Sequence, residues 1–286
     1  MRMPHVGIIV GCGAGLMMSL CGPSLFSQTV KARVTYSLMY SRIDTTEPVV
    51  LKLAIANLTD EDLDLNLGSR DQIYFIATGP SGRMEVHEPP PNSFDQVSRF
   101  GEVSISSKET YTQEIVLSHW ASFDAPGDYA IELQLRGPLG LKTFSSLLVQ
   151  AEFVRLTVEP DAVQLVQRHC VEEWDQLRGA QNGGEAMHAA LFLANVRSPL
   201  AVPFMNTALD TEHATAIGGM FITGLERIGN LNAVRALARV MDGKNEQNAQ
   251  FAHDALARIA LENKVQPEAA KEARLALDAR PDKPKP

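Results

Sequence analysis

Cys170 stands directly after His169, the one place where a thiol and a ring nitrogen meet in sequence. A reactive thiolate needs its base on the same side, and neighbouring helical residues point to different sides. The pair therefore predicts a packed Cys170. Seven histidines are present, yet His-x3-His, His-Glu-x2-His and Cys-x2-Cys spacings are not, so zinc is not expected. His188, His213 and His253 fall in corresponding regions of successive helical segments, but at unequal offsets, which does not suit a row of metal ligands. Asp60, Glu61, Asp62, Asp64 and Asp71 surround a turn, and calcium favours such oxygen donors. Their spacing is not that of a calcium loop, and alternation makes Asp62 and Asp64 solvent-facing neighbours of Leu63 and Leu65. Asn57-Leu58-Thr59 fits a glycosylation sequon and equally a turn. No Gly-x-Ser-x-Gly elbow occurs, and Gly11-Cys12-Gly13-Ala14-Gly15 lacks the strand, helix and third glycine of a dinucleotide loop. The motifs assign no catalytic residue, metal ligand or cofactor, and leave the binding residues unassigned. A non-enzymatic protein is the expectation.

Composition narrows the class. The 286 residues are 45% apolar, 21% charged and 6% aromatic with a net charge of -8, which excludes a disordered, collagenous or polytopic membrane chain and argues against a nucleic-acid partner. Arg2 is the only formal charge in residues 2–27, and Val6 to Leu20 is an uncharged run, so residues 1–27 read as a signal peptide cleaved near Ser27. Four glycines and Pro23 make that run poor material for a spanning helix. Lipidation fits less well: the apolar run before Cys12 is short, and Leu20 occupies the place before Cys21 where a small residue is wanted. The expected location is periplasmic or secreted, with no membrane span after signal removal and Cys170 as the remaining cysteine.

These residues must be positioned by two kinds of element. Val30, Ala32, Val34, Tyr36, Leu38 and Tyr40 alternate with polar residues, as do Val49–Ile55, Leu63–Leu67, Tyr111–Leu117 and Tyr129–Leu135. That period belongs to pleated strands. Seven or eight such strands over residues 28–159 predict two antiparallel sheets face to face. The run Phe123 to Ile131, with Tyr129 after Pro126-Gly127-Asp128, resembles the turn into a late strand of immunoglobulin-like domains, in which a tyrosine hydroxyl ties the corner to upstream backbone. An immunoglobulin-like β-sandwich is the implied architecture, without the paired cysteines of antibody domains.

Beyond Pro160 the period becomes helical, with Val163, Val166, Cys170, Trp174 and Leu177 on one face. Residues 160–280 also repeat. A shift of 32 places Leu193 on Leu225, Val196 on Ile228, Ala201-Val202 on Ala233-Val234 and Met205 on Leu237, and a further 31 reaches Leu256 and Ile259. Leu225-Glu226-Arg227-Ile228-Gly229-Asn230 and Ala233-Val234-Arg235-Ala236-Leu237 resemble short bacterial HEAT repeats over about 95 residues, Glu185 to Ala279. The resemblance implies a short α-solenoid of about three helix pairs, followed by a tail at 281–286, and a surface suited to another protein. It also implies an alternative, chromophore handling of the bilin-lyase type, against which export argues. An envelope assembly role through a completed sheet edge is a third reading. Residues 28–159 hold 11 basic and 18 acidic residues, and residues 160–286 hold 14 and 16, so a basic partner would favour the first part.

Overall fold

A computed structural model describes residues 31–67, 73–87, 102–135, 147–149, 153–211, 214–261 and 266–280. The signal peptide read over residues 1–27, Asp71, His213 and the tail at 281–286 lie outside the described residues.

The strands are β1 (Ala32–Leu38), β2 (Arg42–Asp44), β3 (Val50–Asn57), β4 (Leu63–Asn66), β5 (Ile73–Gly79), β6 (Gly82–His87), β7 (Glu102–Ile105), β8 (Thr110–Val116), β9 (Gly127–Leu135), β10 (Leu147–Val149) and β11 (Val154–Glu159). They form three sheets: β10-β1-β3-β8, β2-β11-β9-β5-β6 and the pair β4-β7. Alternation puts Val34, Tyr36, Leu53, Ile55 and Ile115 of the first sheet into one apolar cluster with Phe75, Ile131, Leu133 and Leu156 of the second. The Tyr36 hydroxyl bridges them by accepting from Leu133 N at 3.1 Å. Locally, the Tyr129 hydroxyl donates to the Ala125 carbonyl at 2.8 Å and ties that corner down.

The helices are α1 (Val163–Gly179), α2 (Gly183–Asn195), α3 (Val202–Ala208), α4 (Ala214–Ile228), α5 (Leu231–Met241), α6 (Glu246–Leu261) and α7 (Pro267–Asp278). Asn182 accepts from Glu185 N at 3.0 Å while Glu185 accepts from Gln181 N at 2.7 Å, a reciprocal cap that starts α2. Asn230 starts α5 by accepting from Ala233 N at 2.8 Å. α4 lies against both α2 and α6, while α5 touches α3 and α7. Gly224 permits the approach of α4 to α2, because a Cβ there would stand 2.5 Å from the Ala194 carbonyl oxygen. Leu193, Leu225 and Leu256 are all buried, as are Met205 and Leu237.

This arrangement corrects the expected antiparallel immunoglobulin-like β-sandwich followed by a short HEAT-like α-solenoid. The sheets are small and distinct, and the two larger ones are mixed: β1 pairs with β10 in parallel, and β2 with β11 in parallel. Nor do the helices follow as an independent stack. Val50 and Val116, at strand ends of the first sheet, are buried in the same apolar cluster as α1, α2 and the later helices. Between α2 and α4 the chain forms a 3-10 turn, Pro199–Ala201, that leads into the short α3. The physical reason is that alternation reports which face of a strand is buried but not which strand lies beside it. The architecture is a mixed α and β fold joined along one seam.

Candidate functional site

The seam brings together residues from both halves of the chain. β11 ends at Glu159, and the backbone reverses through Asp161 at φ +54° before α1 begins. A non-glycine residue rarely adopts that conformation, and aspartate is among those that tolerate it best. The start of α1 has no side-chain cap of its own. Asp44, at the end of β2, supplies one from a distance: Oδ2 accepts from Ala162 N at 2.7 Å, while Oδ1 accepts from Thr46 N at 2.8 Å and Thr46 Oγ1 at 2.7 Å. A carboxylate here also meets the positive end of the helix dipole.

Glu47 continues the joint. Its side chain is fully buried; Oε2 accepts from Asp44 N at 2.7 Å, and Oε1 lies 2.9 Å from Nδ1 of His169, whose own side chain is only 6% exposed. With a carboxylate as acceptor, Nδ1 carries the proton. The His169 ring stacks on Tyr40 at 3.7 Å between centroids, and Phe192 of α2 meets both rings edge-on. Cys170 is buried behind this group, and desolvation, with Glu47 and Glu173 nearby, pushes its thiol up to about 12. The sulfur is held protonated, as expected of a packed cysteine.

Nearby, the joint changes character. The Tyr40 hydroxyl donates to Glu173 Oε1 at 2.6 Å, and Gln176 Nε2 reaches the same oxygen at 3.4 Å. Burial raises the tyrosine above its ordinary range, and its bond to Glu173 adds to that. The other oxygen, Glu173 Oε2, is buried with no hydrogen-bond partner among the described residues. Glu173 is 2% exposed. Burial raises its carboxyl above the usual range; the Tyr40 bond opposes this, and the charge of Glu114 reinforces it.

Glu114 belongs to a row across the outer face of the first sheet. Register pairs Ser37 of β1 with Lys52 of β3, and Lys52 with Glu114 of β8. The Glu114 side chain is 6% exposed; Lys52 Nζ is 3.8 Å from Oε1, and His188 Nδ1 of α2 is 3.1 Å from Oε2. The histidine lies off the hydrogen-bonding line, so Oε2 has a charged neighbour when His188 is protonated but no donor. Between this row and the two helices lies a cavity of about 430 Å³, lined by Lys52, Thr112, Glu114, Glu173, Gln176 and His188 among others. That volume falls within the range of small-molecule sites.

A second hollow of about 160 Å³ sits at the other end of the seam. His119 Nε2 and Arg227 Nη1 both reach Asn195 Oδ1, at 2.6 and 2.7 Å, and Asn195 Nδ2 donates to Leu191 O at 2.8 Å. Arg197 donates to Asp124 at 2.7 Å and to the Thr45 carbonyl at 3.0 Å. Its polar groups are engaged in closing the seam.

The motif residues are placed elsewhere or differently. His169 and Cys170 are both buried, but the histidine bonds Glu47. His188 faces Glu114, and His253 lies 3.2 Å from Asp254, so the two do not share a site. Asp60 pairs with Lys108 at 3.0 Å, Asp62 accepts from Ser107 N at 3.3 Å, and Asp64 is exposed. Among the described residues, no group of three or more histidine, cysteine, aspartate or glutamate side chains could hold a metal. Asn57 is buried; its Nδ2 donates to the carbonyls of Glu61, Ile105 and Ser106 at 2.8 to 3.1 Å, so in the folded chain the sequon asparagine is a loop plug. The sequence reading missed Asp44, Glu47, Glu114 and Glu173. A signal existed for Glu173, which is four residues from His169 and therefore shares its helix face.

No protein family and no curated protein matches the chain. Solved structures resemble parts of it. A β-glucosidase from Listeria innocua in complex with glucose is 11% identical over 44% of this chain and 16% of that one, with a TM-score of 0.27. An alkylpurine DNA glycosylase, AlkC, from Pseudomonas fluorescens, bound to DNA containing an abasic site analog, is 8% identical over 46% and 31%, with a TM-score of 0.25. The CARDB domain of the PF1109 protein from Pyrococcus furiosus, in complex with di-metal ions, is 9% identical over 46% and 94%, with a TM-score of 0.25. The chain spans 16% and 31% of the length of the first two. Resemblances this distant carry no argument about activity.

Proposed function

We propose that the protein is an exported, non-enzymatic binding protein that presents the outer face of its helix layer to another protein. The observation that supports this is the exposure of Met187 on α2 and Phe251 on α6, at 46% and 41%, either side of α4. Next to them α4 carries the small residues Ala216 and Gly219. A Cβ on Gly219 would sit 3.5 Å from the Phe251 ring, and one on Gly183 would sit 3.8 Å from Cβ of Ala216. Exposed large apolar side chains beside small residues suit recognition of a protein surface. Export rests on the uncharged run in residues 1–27, and the net charge of -8 favours a protein over a nucleic acid as partner. No helix among the described residues is long and apolar enough to cross a membrane.

The test is retention of a protein from an envelope fraction by the full chain and by a Met187→Ser, Phe251→Ser double variant of matched melting temperature. The reading expects a discrete species held by the first and lost from the second. Equal retention by both would overturn it.

A further inference from the structure

We propose that the outer edge of β8 is a docking site for an extended basic segment of another protein, taken up as an added strand. The site is separate from the helix-layer face and does not rest on the reading given above. β8 ends the order β10-β1-β3-β8 and pairs with β3 alone among the described residues, in unbroken register from Ala56 opposite Thr110 to Val50 opposite Val116. Two bonds at the ends of that register fix which way each residue faces: Asn57 N donates to Glu109 O at 2.9 Å, and Leu117 N donates to Val49 O at 2.8 Å. Hydrogen-bonded pairs recur at every second residue of an antiparallel ladder. Tyr111, Gln113 and Ile115 therefore turn their backbone groups to β3, while Thr110, Thr112 and Glu114 turn theirs outward. The outward N–H and C=O groups have no partner among the described residues.

An open row of this kind is a template for a further strand, and natural edges are blunted by lysine, proline or a bulge. β8 contains neither lysine nor proline, and its register with β3 has no bulge. Thr110 and Thr112 are exposed whereas Ile115 and Val116 are buried, so the accessible part is the first half of the strand. There Tyr111 is half-buried and packs against the apolar cluster between the sheets, which an apolar side chain of an added strand would extend. Charge selects the occupant. The turn leading into β8 is held against the acidic turn after β3, with Lys108 Nζ 3.0 Å from Asp60 and Ser107 N donating to Asp62 at 3.3 Å. Asp60, Glu61, Asp62 and Glu109 are exposed in these two turns, against Lys108 as their cation. A second copy of this chain would bring the same half, with 11 basic and 18 acidic residues over 28–159, against itself and is disfavoured. A strand that alternates basic and apolar residues complements both the charge and the Tyr111 ring.

The experiment is fluorescence anisotropy of the labelled peptide Lys-Val-Lys-Val-Lys-Val-Lys with the full chain. Two controls are run beside it: the counterpart with Glu in place of Lys, and the block peptide Lys-Lys-Lys-Lys-Val-Val-Val. Saturable one-to-one binding of the alternating basic peptide is expected, with the block peptide weaker and the acidic peptide not bound. Thr112→Pro removes an outward N–H and no bond to β3, and should weaken the basic peptide about tenfold or more. Its melting temperature reports whether it folds; if it does not, Thr112→Lys decides, because it leaves the backbone intact and sets a like charge beside the edge. Absence of saturation, equal binding of either control peptide, or binding by the deciding variant that matches the parent would overturn the proposal. So would self-association of the chain in sedimentation that the same variant abolishes, since the occupant would then be a second copy.

Discussion

Two regions of the seam bury acidic side chains in opposite ways. Around Glu47 every carboxylate oxygen is used: Asp44 takes two donors from Thr46 and one from the start of α1, and Glu47 takes one from Asp44 N and one from His169. Around Glu173, one oxygen is tied by Tyr40 and the other is buried with no hydrogen-bond partner among the described residues. The same residue type is thus a fastener in one region and an unfilled acceptor in the other. Burial alone does not separate the two regions; the completeness of their hydrogen bonding does.

The largest effect should come from breaking the filled region. Glu47→Ala leaves His169 and Asp44 N buried without their acceptor, and loss of one member of such a pair costs about 3–5 kcal/mol. Urea denaturation should show that loss. Asp44→Asn retains an acceptor for one contact but loses the charge facing α1, and about 1 kcal/mol is expected from the capping and dipole contributions together. It should be read in the same denaturation series.

A third prediction concerns pH in the cavity region. The folded carboxyl of Glu173 is raised, so between the unfolded and folded values the native state binds more protons and stability falls as pH rises. Glu173→Gln lacks this penalty. Its stability relative to the parent should therefore improve as pH rises above the ordinary glutamate range, as seen by melting temperature across a pH series. Glu114 and Glu172 act in the same direction as burial, while Tyr40 and His169 oppose it.

The smallest effect lies at the rim. Asp124 is held below its usual range by its hydrogen bond from Ser122 and then by Arg197. A lowered folded value gives stability above the unfolded value that disappears as pH falls through the folded one. Both partners are about half exposed, so Asp124→Asn should cost about 1 kcal/mol or less near neutrality, with the difference vanishing in acid. Melting curves at two pH values check it.

The seam also explains what could be read in advance. Leu51, Leu53 and Ile55 announce a strand and are buried, and Val234, Leu237 and Met241 announce a helix face and are buried. Pairing was not legible, because the parallel partners β1 and β10 are more than a hundred residues apart and share no pattern. The face of α1 was legible only in part. Val166, Cys170 and Leu177 were read as buried, but the helical spacing that includes them also admits His169 and Glu173, which polarity alone assigns to solvent. Glu114 likewise sits in its strand beside the exposed Lys52, and only the covering helices bury it. Val163, read as part of the buried face, is exposed.

The contrast between the two regions is tested most directly by comparing Glu47→Gln and Glu173→Gln in parallel urea titrations at pH 7. In the first, an amide NH2 meets the Asp44 N–H or leaves His169 without its charged acceptor, and the midpoint should fall by the equivalent of about 2–3 kcal/mol with an unchanged slope. In the second, an amide oxygen can still accept from Tyr40 and the like-charge repulsion is gone, so the midpoint should stay or rise. Equal losses in both variants, or a larger loss in Glu173→Gln, would contradict the division into a fully bonded and an incompletely bonded region.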